Sequence, residues 1–205
     1  MNRVRAIGLA NMAVPVWFVG VYAWVAMQRP DFRHFNQAVS ELGAWGAPNM
    51  WVWNALGYLL PGLLILSLGL ALRRQFQVRG RTAIPFTALV LSGAFMAISG
   101  VFPGDFENRT SPSMILHSVG SFGSGLCFMV AAFWLPGRFR QVDSWKGIYW
   151  PLLGIAIAMV LNTFLVTPGP TPGLGQRISF ACYFFWVALV GWAMYRHPIL
   201  DGYSD

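Results

Sequence analysis

Six apolar runs, each about as long as a bilayer is thick, constrain this chain more than any other feature in it. They cover roughly residues 6–27, 51–72, 83–102, 114–135, 147–166 and 178–195. A helix needs about 20 mostly apolar residues to cross the hydrocarbon core, and inside that core each backbone N–H and C=O must be satisfied within the segment itself. Of the 205 residues, 56% are hydrophobic and 10% charged, whereas soluble domains carry about 25% charged residues. The expected fold class is an all-α membrane protein, a six-transmembrane-helix bundle, with residues 1–205 forming a single six-span domain. The first run is long for the core of a signal peptide, and no small-residue cleavage site follows it, so it reads as a retained anchor.

The connections predict the orientation. Arg3 and Arg5 precede the first run, Arg73, Arg74, Arg79 and Arg81 join the second to the third, Arg138, Arg140 and Lys146 join the fourth to the fifth, and Arg196 follows the sixth. Ten of the 14 basic residues therefore fall on one side. The positive-inside tendency makes that side cytoplasmic, with both the N and C termini there. The pI near 10.1 then has a topological cause, aided by anionic lipid. Nucleic acid is not an expected partner, because the chain has no basic helix and no alternation of basic and aromatic residues. Cys127 and Cys182 lie singly within apolar runs and carry no metal or redox spacing.

Ionisable chemistry gathers on the expected outer side. "GVFPGDFENRTSPSMILHS", residues 100–118, holds Asp105, Glu107, Arg109 and His117 between two apolar runs, and Asp31, His34 and Glu41 sit in the connection before it. On a helical wheel Phe32, Phe35, Val39 and Leu42 fall within about 80° of each other, with His34, Gln37 and Glu41 opposite. That predicts a short amphipathic helix in the first outer loop. Its polar face either meets water or roofs a pocket.

Span 4 carries Ser113, His117, Ser121 and Ser124 on one face, with Gly120 and Gly125 beside them. Small residues in this pattern let helices approach closely, and their hydroxyls bond across the contact. His117 lies about one turn inside the boundary near a helix N-terminus, which disfavours its protonated form. A ring nitrogen is then free to accept a proton or bind a metal. Arg177 stands at the start of span 6, where a cation needs a partner. Asp105, Glu107 and Glu41 are the acids available, so an Arg177–acid pair is expected.

Four stretches, "VSELGAWG", "GVFPGD", "ILHSVGS" and "GLGQRISF", lie in this order at the outer ends of the runs. With them the chain resembles the six-span prokaryotic membrane family known as domain of unknown function 998. The resemblance covers about residues 36–195. It implies a six-helix bundle in a bacterial or archaeal cytoplasmic (inner) membrane and implies no activity. The residues it carries over are Ser40, Glu41, Asp105, His117, Gln176 and Arg177.

Three function classes remain open. The first is a non-catalytic module that binds a lipid headgroup, a small ligand or a membrane protein partner through the outward polar cluster, with Ser40, Glu41, Asp105, His117, Ser121, Gln176 and Arg177 as candidate ligand-binding residues. The second is a metal-dependent interfacial hydrolase acting on lipid. Zinc is the metal such a site would take, with His34, Glu41, Asp105 and His117 as candidate ligands. The third is a small-molecule transporter, which would need polar groups along the spans. Whether the protein is an enzyme is left open by the sequence.

Overall fold

The computed structural model describes residues 2–76 and 80–198; Arg79, Asp201 and Asp205 lie outside them. Six helices are long and apolar enough to cross a membrane: Arg3–Met27, Met50–Gln75, Ile84–Val101, Pro112–Phe139, Lys146–Leu165 and Pro172–Arg196. They are called spans 1 to 6 below. No strand occurs among the described residues. The all-α, six-span architecture expected from the apolar runs is the one observed.

Two helix starts show why the boundaries fall where they do. Span 4 is opened by Ser111, whose hydroxyl accepts from Met114 N at 3.2 Å, with Pro112 in the first turn. Span 6 begins at Pro172, about two turns ahead of its apolar run. Proline suits that position because its missing N–H is one the first turn leaves unpaired anyway. The early start places Gln176 and Arg177 inside a helix rather than at its edge.

Consecutive spans alternate in direction. One end of the bundle holds residues 2 and 198. The other, the distal end, holds the connections 28–49, 102–111 and 166–171. Span 3 packs between spans 2 and 4, span 5 touches spans 4 and 6, and span 1 lies against spans 2 and 6. Chain order is therefore ring order, and the first and last helices close the ring. Gly8 and Gly191 make that seam possible. A Cβ on either would stand 2.7 Å from the other's carbonyl oxygen, so the two backbones touch. Toward the end opposite the distal one the core is aromatic, with Phe76, Phe86, Phe139 and Trp145 in mutual ring contact.

Span 2 is irregular. After Met50–Trp53 the backbone runs as a π-helical segment over Asn54–Leu59 before α geometry resumes. Leu60 N reaches back five residues to Ala55 O. Pro61 supplies the cause: it offers no N–H to the Gly57 carbonyl, and its ring crowds that oxygen. Tyr58, within the bulge, is buried.

The first distal connection does not form the single amphipathic helix expected of it. Turns lead to a 3₁₀ helix at Val39–Gly43. Phe32, Val39 and Leu42 are buried, whereas Phe35 is 59% exposed. The backbone of this segment is committed to tertiary partners: Arg29 Nη1 donates to Glu41 O, Val39 N to the Gln176 side chain, Leu174 N to Phe35 O and Trp45 N to Gly104 O. Those bonds replace the i→i−4 ladder an α-helix would need.

Candidate functional site

Two polar regions stand out, one at the distal end and one about a third to half of the way down the bundle. At the distal end, Arg177 is the organising charge. Its Nε donates to Tyr22 Oη at 2.9 Å, and its Nη1 donates to Gln37 O at 3.0 Å and Gly173 O at 2.6 Å. The guanidinium carbon stands 5.2 Å from the Tyr22 ring centroid and 5.4 Å from that of Phe32. The expected Arg177–acid pair is absent. Among the described residues the ion pair is Lys146–Asp143, at 3.2 Å and exposed. A delocalised guanidinium can be held by ring faces and carbonyl dipoles in place of a carboxylate, and here it is. Tyr22 Oη, having accepted from Arg177, has its hydrogen to give to His34 Nδ1.

Glu41 and Asp105, two of the acids expected to pair with Arg177, bond within their own turns. Glu41 Oε1 accepts from Ala38 N at 2.8 Å and its Oε2 from Gln37 Nε2 at 2.8 Å, which closes the start of the 3₁₀ helix on itself. Asp105 Oδ1 accepts from Asn108 N at 2.9 Å, pinning the turn after "FPG". Glu107 is exposed. His117 is 4% exposed, and its Nδ1 lies 3.1 Å from Ser99 O and 2.9 Å from Phe102 O. Carbonyl oxygens only accept, so Nδ1 carries the hydrogen and the ring ties the start of span 4 to the end of span 3. Ser113 adds a 2.7 Å bond to Pro103 O beside it. A Cβ on Gly120 would meet Phe95 O at 2.7 Å, so spans 3 and 4 close on backbone contact just below this clamp. Among the described residues no three His, Cys, Asp or Glu side chains gather into a set that could hold a metal. His34, Glu41, Asp105 and His117 each point to different partners, and their residues do not fit a zinc site.

The second region is a cavity of about 310 Å³ enclosed by spans 2 to 6. Its lining includes the polar residues Tyr58, Ser99, Gln176, Ser179 and Tyr183 and the apolar residues Met96, Phe122, Gly125, Met159 and Phe180. No charged side chain lines it. Span 4 completes it with Ser121, bonded to Ser99 Oγ at 3.1 Å, and Ser124, 3.4 Å from Tyr183 Oη. Tyr183 Oη also bonds Ser92 Oγ at 2.6 Å. Ser124 is about 18 Å along a 28-residue helix, which puts the cavity's deepest hydroxyls near the helix midpoint. Below them Phe128 and Trp186 are fully buried and in ring contact at 5.3 Å. The polar lining ends on an apolar floor.

Of the seven residues singled out as ligand-binding candidates, the structure brings Ser121 and Gln176 to this cavity. Ser40 sits behind it, against the Tyr58 hydroxyl. Glu41, Asp105, His117 and Arg177 belong to the distal connections and helix ends. Tyr58, Ser179 and Tyr183 had no signal in the sequence beyond being polar groups within apolar runs. Tyr58 needed the π segment to be recognised, and Pro61 was the available hint.

The sequence pattern of the family described as "Protein of unknown function (DUF998)" matches residues 12–193. The chain belongs to that family. The match begins in span 1 and ends within span 6, so it takes in both polar regions and, of the seam, Gly191 but not Gly8. No curated protein and no solved structure matches this DUF998 chain.

Proposed function

We propose that this DUF998 protein is a non-catalytic membrane module that binds a small ligand in the cavity among spans 2 to 6. The cavity carries the reading. Its volume lies at the lower end of the roughly 300–1,000 Å³ typical of small-molecule sites. It has an uneven lining of polar and apolar groups, and it is bounded by rigid helices. Glu41, Asp105 and His117, by contrast, are spent on a cap, a turn and a helix-to-helix tie. A transport path is disfavoured by the Phe128–Trp186 floor and the aromatic packing beneath it. A metal-dependent hydrolase lacks a ligand set among the described residues.

The test is native mass spectrometry of protein extracted in mild detergent, comparing wild type with Gly125→Phe. Gly125 lines the cavity, and a Cβ there meets nothing within 4 Å, so a larger side chain has open space where it leaves the backbone. A bound species present on wild type and lost from an equally stable Gly125→Phe supports the reading. No bound species, together with no rise in thermal midpoint on adding a membrane lipid extract, sinks it.

A further inference from the structure

We infer that the ligand is an uncharged lipid with an oxygen head group, a long-chain alcohol or acylglycerol, which enters sideways between spans 4 and 5 with its head inward and its tail in the bilayer. This rests on the cavity-binding reading above and adds chemistry and direction to it.

The polarity of the lining fixes the direction. Five of the polar lining residues lie on spans 2, 3 and 6, namely Tyr58, Ser99, Gln176, Ser179 and Tyr183, and the two on span 4, Ser121 and Ser124, have hydroxyls within 3.4 Å of Ser99 and Tyr183 on that side. Span 4 also contributes Phe122 and Gly125, and span 5 contributes Met159, all apolar. Phe122 is 75% exposed on the surface that would face lipid, and the space beside Gly125 is open. Ser121 of span 4 is bonded to Ser99 Oγ. Span 5 is the least buried of the six helices, which leaves the gap beside it uncovered. A cavity of 310 Å³ accommodates a head group and a few methylenes, and the rest of an acyl chain has to leave through the apolar mouth.

The absence of charge in the lining fixes the class. An anionic phosphate or carboxylate head would meet no cation among the lining residues, and Arg177, bonded to Tyr22, Gln37 and Gly173, is not one of them. A burial of that kind without a partner is costly. A hydroxyl or ester, however, finds donors and acceptors. Gln176 is the key donor. Its Oε1 accepts from Val39 N, and an N–H facing it settles the amide orientation, leaving the side-chain NH2 to the cavity it lines. The acceptors are the serine and tyrosine oxygens around it.

The experiment uses the full chain in nanodiscs and two diazirine photoprobes with the same chain, a monoacylglycerol and a fatty acid, at a pH where the acid is ionised. Crosslinks are mapped by peptide mass spectrometry on wild type, Gly125→Phe and Gln176→Glu. Glutamate keeps the acceptor for Val39 N and removes the NH2 donor. The expected result is labelling of residues 121–125 or Met159 by the acylglycerol, weaker by about tenfold with the acid, a loss equal to roughly 1.4 kcal/mol. That labelling falls in both variants while their thermal midpoints stay near wild type. Equal or stronger labelling by the fatty acid overturns the uncharged-head inference and leaves cavity binding standing. Labelling by both probes that survives Gly125→Phe reports bilayer lipid alone and overturns the lateral route. No labelling by either probe, with no bound species in native spectra, brings down both readings.

Discussion

The distal end and the cavity differ in what their polar atoms are for. At the distal end the side chains are charged or ionisable, and their contacts fix the chain: Arg177 ties span 6 to the first connection, His117 ties span 4 to the end of span 3, and Glu41 closes its own turn. In the cavity the side chains are neutral, and several are bonded in ways that leave capacity unused, as with the NH2 of Gln176. Charge marks where the bundle is fastened. The cavity's capacity lies where the composition looks plainest, in neutral groups within apolar runs, while at the distal end Arg177 Nη2 is buried without a partner.

That division can be broken by mutation. Arg177→Leu has the largest expected effect. It strips the partners from Tyr22 Oη, Gln37 O and Gly173 O at once, and removing donors of charged bonds costs about 3 kcal/mol. The thermal midpoint in detergent should fall sharply, and Arg177→Lys should not restore it because an ammonium lacks the planar fork. A normal midpoint with lost ligand binding would move Arg177 into the binding site and end the distinction. Next comes a pair of glycines. Gly191→Ala should destabilise by about 2 kcal/mol by forcing spans 1 and 6 apart. Gly125→Ala should be neutral or gain up to ~1 kcal/mol in helix propensity. Equal losses at both would mean the cavity mouth is a packed contact.

His117→Phe is expected to cost about 1–2 kcal/mol, through the two carbonyls left without their donor, with ligand binding per folded molecule unchanged. Zinc measured by elemental analysis on wild type and this variant should be equally low in both. One equivalent lost with the histidine would reinstate a metal centre. The smallest effect belongs to Glu41→Gln. It keeps an acceptor for Ala38 N and should shift stability by less than ~1 kcal/mol. A large loss would show that the Glu41 charge acts across space on Arg177.

The helices were legible because hydropathy over 20 residues depends on nothing but the chain itself. The stripe Ser113–His117–Ser121–Ser124 was legible for a related reason, since helical spacing alone puts those residues on one face. It went on to meet span 3, and at Ser124 also Tyr183 of span 6. Three features were not readable in this way. The Arg177 site uses two ring faces and two backbone carbonyls, and neither kind of partner has a sequence signature, whereas acids invite pairing on paper. The first connection carried a true apolar pattern at Phe32, Val39 and Leu42, yet its backbone bonds go to residues as distant as Gln176, which no local wheel contains. The cavity draws its lining from five helices, so its residues share no spacing. Its one irregular wall follows from Pro61 acting on the carbonyl four residues before it.

The seam between spans 1 and 6 also sets an order of assembly. Synthesis delivers span 1 first and span 6 last, so the Gly8 face and the Tyr22 hydroxyl wait through the insertion of four intervening helices for their partners, Gly191 and Arg177. Until then the first connection lacks its contacts with Leu174, Gln176 and Arg177. Completion of the last helix is thus a single event that shuts the ring, supplies those contacts and builds the span 6 side of the cavity. A nascent chain stalled before residue 172 would leave the Gly8 face uncovered before the membrane's quality-control proteases, and the finished protein would not.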